Sequence, residues 1–129
     1  MINFIKEYSL PVNYLDFIIP MPLHKTKLRE REFNQAEILS MHIAKEFNKD
    51  SISNILLRHR QTKTQTELKN KDRFLNVANS FSVDSRSDLK GKNILLIDDV
   101  LTTGATSSEA ALALKKAGAQ TVFVLTLAN

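Results

Sequence analysis

Two adjacent carboxylates, Asp98 and Asp99, are followed after Val100 and Leu101 by Thr102, Thr103, Gly104, Ala105 and Thr106. Small residues with one glycine let backbone N–H groups come close to an anion. Carboxylates repel phosphate, but they accept hydrogen bonds from sugar hydroxyls, as an acidic residue does for the ribose in dinucleotide folds. A phosphate cup beside an acidic pair is chemistry suited to a ribose phosphate. The plainer alternative is a buried strand ended by a polar turn.

A second set of candidates lies in Leu23, His24, Lys25, Thr26, Lys27, Leu28, Arg29, Glu30 and Arg31, a basic stretch after Pro20 and Pro22. Lys25 and Arg29 are placed to meet an anion. His24 can donate to phosphate or serve only the loop. An exposed, solvated basic loop remains the plainer reading. A third set runs from Arg58 to Arg73 and is again dense in Lys and Arg. Thr62, Gln65, Arg73 and Asn76 have no evident packing duty there, and Lys63 is among its cations. A basic, polar insert between two strands suits a lid over an anion, or an ordinary exposed loop.

These groups must be held by regular elements. Ile94, Leu95, Leu96 and Ile97 are apolar without alternation, which predicts a strand buried on both faces. The acidic pair is therefore expected at the carboxyl edge of the sheet. A helix is predicted over 107–116, with Gly118 just past its end. Upstream, 15–19 predicts a strand that ends at the prolines, which cannot donate to a ladder. Asn34 with Glu37 resembles a capping box. The helix after it carries an apolar stripe of Ala36, Leu39, Ile43 and Phe47, with Ser40 off the stripe. Short strands are predicted at 55–57 and 81–83, and a last one at 121–127. Residues 1–14 form an N-terminal segment whose helix is stopped by Pro11. Strands alternating with helices predict one α/β domain over 1–129 with a parallel sheet. In such sheets ligands sit outside the carboxyl ends of strands, where strand order reverses.

Composition narrows the classes. Hydrophobic residues make up 43% of the 129 residues, as in a soluble globular protein, and the net charge of +4 is a weak argument for a polyanion partner. No apolar run approaches the ~20 residues of a membrane helix. The first residues, with Lys6 and Glu7, lack the apolar core of a secretory signal. There is no cysteine, so disulfides and cysteine metal sites are excluded and a cytoplasmic location is expected.

Residues 94–106 resemble the phosphoribosyl diphosphate (PRPP) motif of the type I phosphoribosyltransferases: four apolar residues, an acidic pair, two apolar residues, then Thr-Thr-Gly-x-Thr. Further segments narrow the resemblance to the ComF/GntX branch of competence-associated proteins. They are Ile19-Pro20-Met21-Pro22-Leu23-His24, Arg31-Glu32-Phe33-Asn34-Gln35, Thr62-x-x-Gln65 and Arg73-x-x-Asn76-Val77. The resemblance covers about 16–128 and implies a Rossmann-like parallel sheet flanked by helices, with a flexible lid loop over 60–74. It implies that Leu23, His24, Lys25 and Arg29 bind pyrophosphate. It places the 5′-phosphate at Thr102, Thr103, Gly104, Ala105 and Thr106, and the ribose hydroxyls at Asp98 and Asp99. It also implies Mg2+, held mainly by the ligand. No residue stands out as a general base, although Asp98 or Asp99 could act as one. Two departures stand out. Glu32 occupies the place of a family glycine, and these 129 residues hold no counterpart of the family's cysteine-rich zinc-binding segment, as expected of a short form, a natural variant or a truncation.

Three functions follow as expectations. The first is phosphoribosyl transfer from PRPP with release of pyrophosphate. The second is a non-catalytic PRPP- or nucleotide-binding accessory role in DNA uptake, through a protein partner; the short C-terminus, with little chain to select a base, favours it. The third, direct nucleic-acid binding, is disfavoured because aromatic residues are not interleaved with the basic runs. A homodimer remains open.

Overall fold

The computed structural model describes residues 1–7, 9, 11–23, 33–59, 80–100 and 104–128. Its centre is the apolar strand β5 (Asn93–Val100), which has a parallel neighbour on each side. On one side lies β1 (Phe17–Pro20), paired in parallel from Phe17↔Ile94 to Pro20↔Ile97. On the other lies β6 (Thr121–Ala128), paired in parallel from Asn93↔Thr121 to Val100↔Ala128. A two-residue strand, β2 (Asp50–Ser51), extends the sheet beyond β1, so the order is β2-β1-β5-β6.

The chain leaves β1, forms helix α2 (Gln35–Phe47) and returns to β2 on the outer side of β1. It leaves β5, forms helix α3 (Ala105–Lys116) and returns to β6 on the opposite side. Strand order thus reverses between β1 and β5. In a parallel sheet such a reversal opens a crevice at the carboxyl ends, because the two crossovers diverge there. The crossover helices cover opposite faces. Ile43 and Ala44 of α2 pack with Ile18, Leu95 and Ile97, joined by Ile5 of the short N-terminal helix α1 (Ile2–Glu7). Ala110 and Leu114 of α3 pack with Ile19, Ile94 and Leu96. Alternate residues of β5 therefore serve two cores, which is why its apolar run does not alternate.

Local signals set the boundaries. The Asn34 carboxamide oxygen accepts the Ala36 N–H at 3.1 Å and starts α2, while Asn48 ends it in the left-handed conformation. Met21 donates its N–H to the Ile97 carbonyl at 2.7 Å. Pro20 therefore faces the other edge, where β2 has already ended, and its missing N–H leaves no ladder bond unmade. At the opposite end, the Asp16 carboxylate accepts the Asn93 N–H at 2.8 Å and pins the register of β1 on β5. Gly118 follows α3 with φ +112°, and a Cβ there would meet the Lys90 Cα at 3.2 Å.

Three expectations are corrected. Residues 55–57 do not join the parallel sheet. Strand β3 (Leu56–Arg58) pairs antiparallel with β4 (Phe81–Val83), from Leu56↔Val83 to Arg58↔Phe81, as a separate two-stranded sheet. Local pattern cannot tell a sheet strand from a hairpin strand of the same length. Ser40, read as off the apolar stripe of α2, is fully buried; its hydroxyl donates to the Ala36 carbonyl at 2.8 Å, so a small polar residue fits the interface. Helix α3 begins at Ala105, two residues earlier than its apolar pattern suggested.

Candidate functional site

The crevice between β1 and β5 gathers part of what the sequence singled out. Strand β1 ends opposite Ile97, whereas β5 continues to Val100 along β6. Asp98 and Asp99 therefore lie past the end of β1; Asp98 still pairs with Thr126 of β6, and among the described residues no strand pairs with them on the other edge. Both are half-buried. The Asp98 carboxylate accepts the backbone N–H of Asp99 at 2.8 Å. Burial, together with the Asp99 carboxyl beside it, pushes Asp98 up to about 6, against the pull of the Arg58 guanidinium. A half-buried carboxyl next to another acid, titrating near neutrality, is a frequent mark of a functional site.

The second wall is the start of α3. Gly104 holds φ +82° and ψ 0° at the N-cap position, a conformation other residues adopt only with strain. Ala105 is fully buried at the start of the helix. Ala105 and Thr106, expected in the loop, sit in the first turn of α3 instead. The first N–H groups of a helix have no partner within it and carry the positive end of its dipole. Acidic pair and helix start are thus consecutive along the chain at one end of the sheet. Thr102 and Thr103 lie outside the described residues.

The third wall begins at Pro22 and Leu23, both half-buried, which leave the sheet at the end of β1. Of the predicted pyrophosphate set only Leu23 is described; His24, Lys25 and Arg29 lie outside the described residues, as does Glu32. The same holds for Thr62, Lys63, Gln65 and Arg73, and with them the lid expected over 60–74.

Two residues here were not legible as site residues. Asn34, read as a helix cap and as one residue of the segment 31–35, also donates its side-chain N–H to the Met21 carbonyl at 3.0 Å. It ties the start of α2 to the point where the chain leaves β1. Arg58, read as one cation in a basic run, is half-buried. Its guanidinium reaches the Pro22 carbonyl at 3.4 Å and lies over the Phe81 ring, 5.3 Å from the centroid. A sequence signal exists for Asn34 in its helix-start position. None exists for a buried arginine at a strand end.

With this geometry in place, the chain can be set beside known proteins. A family model described as "Phosphoribosyl transferase domain" matches residues 34–129. Competence protein F of Haemophilus influenzae is 37% identical over 113 residues, which cover 87% of this chain and 49% of that protein. Competence protein ComFC of Bacillus subtilis is 36% identical over 101 residues, covering 78% of this chain and 39% of that one. The chain thus spans about half the length of the curated relatives it matches. Among solved structures, adenine phosphoribosyltransferase from Leishmania donovani superposes with a TM-score of 0.59 at 17% identity, over 96% of this chain and 48% of that one, a likeness of fold. The family match over residues 34–129, with the likeness to the competence proteins, shows that the chain belongs to the type I phosphoribosyltransferase family, in its ComF-like branch.

Proposed function

We propose that the crevice binds PRPP and transfers its phosphoribosyl group to a nitrogen nucleophile. The observation that carries this reading is the succession of Asp98, Asp99 and Gly104 across the carboxyl end of β5 and the start of α3. It sets two hydroxyl acceptors beside the positive end of a helix. In the reaction, the bond from the anomeric carbon to pyrophosphate breaks and its electron pair leaves with pyrophosphate. A nitrogen lone pair then forms the new bond, and the nitrogen gives up its proton to solvent or to a nearby base.

In this reading the backbone at Gly104, Ala105 and Thr106, continued by Thr102 and Thr103, holds the 5′-phosphate. Asp98 and Asp99 hold the ribose hydroxyls and so keep the anomeric carbon facing the leaving pyrophosphate. Pyrophosphate falls toward Leu23 and the cations that follow it, with Lys63 and Arg73 contributing from the segment between β3 and β4. Mg2+ would be held chiefly by the pyrophosphate and ribose oxygens of the ligand, with few donors from the protein. When bound, that ion offsets the charge of the leaving group. The experiment is calorimetric titration with Mg2+ and PRPP, followed by a pyrophosphate-release assay with a panel of bases and amines. Binding with release supports a transferase; absence of binding overturns the reading.

A second reading keeps binding without turnover. The names of the relatives, competence protein F and ComFC, favour a role in DNA uptake, exercised through a protein partner. Tight PRPP binding with no release from any acceptor would favour it.

A further inference from the structure

The two edges of the main sheet are unlike. On one side the sheet ends in β2, only two residues long, with Asp50 exposed on it. On the other it ends in β6, eight residues from Thr121 to Ala128 with no proline, glycine or charged residue. Gln120 donates its N–H to the Lys92 carbonyl at 2.8 Å, toward β5. Backbone groups alternate sides along a strand, so Thr121, Phe123, Leu125 and Leu127 turn their N–H and C=O groups to the outer edge. Among the described residues no strand pairs with that edge. Its side chains are open on both faces: Phe123 is 37% exposed, Val124 41% and Leu127 54%. On the α1 face a groove of about 310 Å³ runs beside the strand, lined in part by Phe4, Pro11, Val12, Leu15, Phe123 and Leu125. On the α3 face a groove of about 300 Å³ is lined in part by Ser107, Ser108, Ala111, Val124 and Thr126. A long, uncharged, apolar edge is a template for another strand unless something covers it.

We propose that the outer edge of β6 is covered by a second copy of this chain, whose own β6 adds antiparallel across a two-fold axis perpendicular to the sheet. Such an axis keeps each face of the sheet on its own side. Leu125 packs on the α1 face and Val122 on the α3 face. The odd positions of the incoming strand, Phe123, Leu125 and Leu127, therefore extend over the apolar groove, and its smaller even positions extend over the hydroxyl-lined one. Centred on Val124, the pairing sets Phe123 opposite Leu125 and Val122 opposite Thr126, and it joins the outward N–H and C=O groups of the odd positions in both copies. Charge selects the direction. The amino end of β6 is basic: Gln120 bonds to the Lys92 carbonyl and accepts the Lys115 ammonium at 2.7 Å, and Lys116 follows. The carboxyl end is acidic, since Thr126 pairs with Asp98 and Asp99 comes next. Antiparallel addition lays the basic end of one copy beside the acidic end of the other, whereas parallel addition sets like ends together. The contact is isologous, so it closes at two copies and leaves neither β6 edge open.

Sedimentation velocity on the unmodified chain should show a dimer whose share grows with concentration. Val124→Lys sets two ammonium groups against each other at the axis and should weaken association by about a hundredfold or more. Val124 is exposed, so the fold should tolerate lysine, which circular dichroism checks. The chain has no cysteine, so single cysteines report the register directly. Under mild oxidation Val124→Cys should link two copies, because paired Cβ atoms across an antiparallel ladder lie within disulfide reach. Leu57→Cys, exposed on the hairpin, should not link. In a mixture of Val122→Cys and Thr126→Cys the link should join one variant to the other. A chain that stays monomeric at every concentration would overturn the proposal and leave the edge to a segment of a longer chain or to another protein. A dimer that Val124→Lys leaves intact would also overturn it, as would equal linking of Val124→Cys and Leu57→Cys, or Val122→Cys linking only to itself. If Val124→Lys does not fold, the unmodified chain and the cysteine variants still decide.

Discussion

The backbone N–H of Asp99 points at the side chain of the residue before it and donates to the Asp98 carboxylate at 2.8 Å. One hydrogen bond thus stabilises the charge on Asp98, while burial and the second carboxyl oppose it more strongly, and the balance leaves the group near 6. The folded-state value lies above the ordinary 3.8. The folded protein therefore holds a proton that the unfolded chain has lost between those values. The contribution of Asp98 to stability is present below about pH 4 and disappears as pH rises through about 6.

Asp98→Asn should therefore stabilise the protein at pH 7 to 8, by on the order of 1–2 kcal/mol. A difference of one pH unit between the folded and unfolded midpoints corresponds to about 1.4 kcal/mol, and part of the effect is shared with Asp99. Urea unfolding at pH 4 and pH 7.5 checks this. The gain should shrink at the lower pH. A loss of stability at pH 7.5 would mean that the ionised carboxylate is well satisfied.

Replacing both acids, Asp98→Asn with Asp99→Asn, should weaken ribose 5-phosphate much more than inorganic phosphate. Hydrogen bonds to a charged carboxylate contribute about 1.5–3 kcal/mol each, so a loss of about tenfold or more is expected for the sugar ligand alone. Calorimetry with the two ligands separates them. Equal losses would make the pair structural.

Gly104→Val should abolish phosphate binding and cost about 2 kcal/mol or more of stability, because a β-branched residue is strained at φ +82°. Gly91→Ala is the control. Gly91 also has a positive φ of 73°, but a Cβ there meets nothing within 4 Å. That substitution should cost about 1 kcal/mol, the ordinary penalty of the left-handed region, and leave phosphate binding unchanged. Urea unfolding and phosphate calorimetry on both variants check the pair.

Asn34→Ala and Asn34→Asp should behave differently. Alanine removes both the helix cap and the donor to Met21, whereas aspartate keeps the acceptor for Ala36 and loses only the donor. A cap contributes about 1 kcal/mol. Thermal unfolding should place Asp between the unmodified protein and Ala. Ligand affinity should fall in both, because both release the chain at Met21.

The strand at 94–97, the place of the acidic pair at its carboxyl end and the helix that follows Gly104 were legible from sequence because each is a local pattern. An unbroken apolar run, a carboxylate that a sheet interior rejects and a glycine that opens a helix all act between near neighbours in the chain. The start of α2 at Asn34 was legible for the same reason. What only the tertiary structure decided is which elements meet. Sequence left open whether β1 lies beside β5; the ladder from Phe17↔Ile94 to Pro20↔Ile97 decides it and creates the crevice. The pairing of 56–58 with 81–83 apart from the main sheet, the burial of Ser40 and the reach of Arg58 to Pro22 all depend on partners far along the chain. A local pattern carries no information about such a partner, since the energy of each contact appears only when the two surfaces exclude water together.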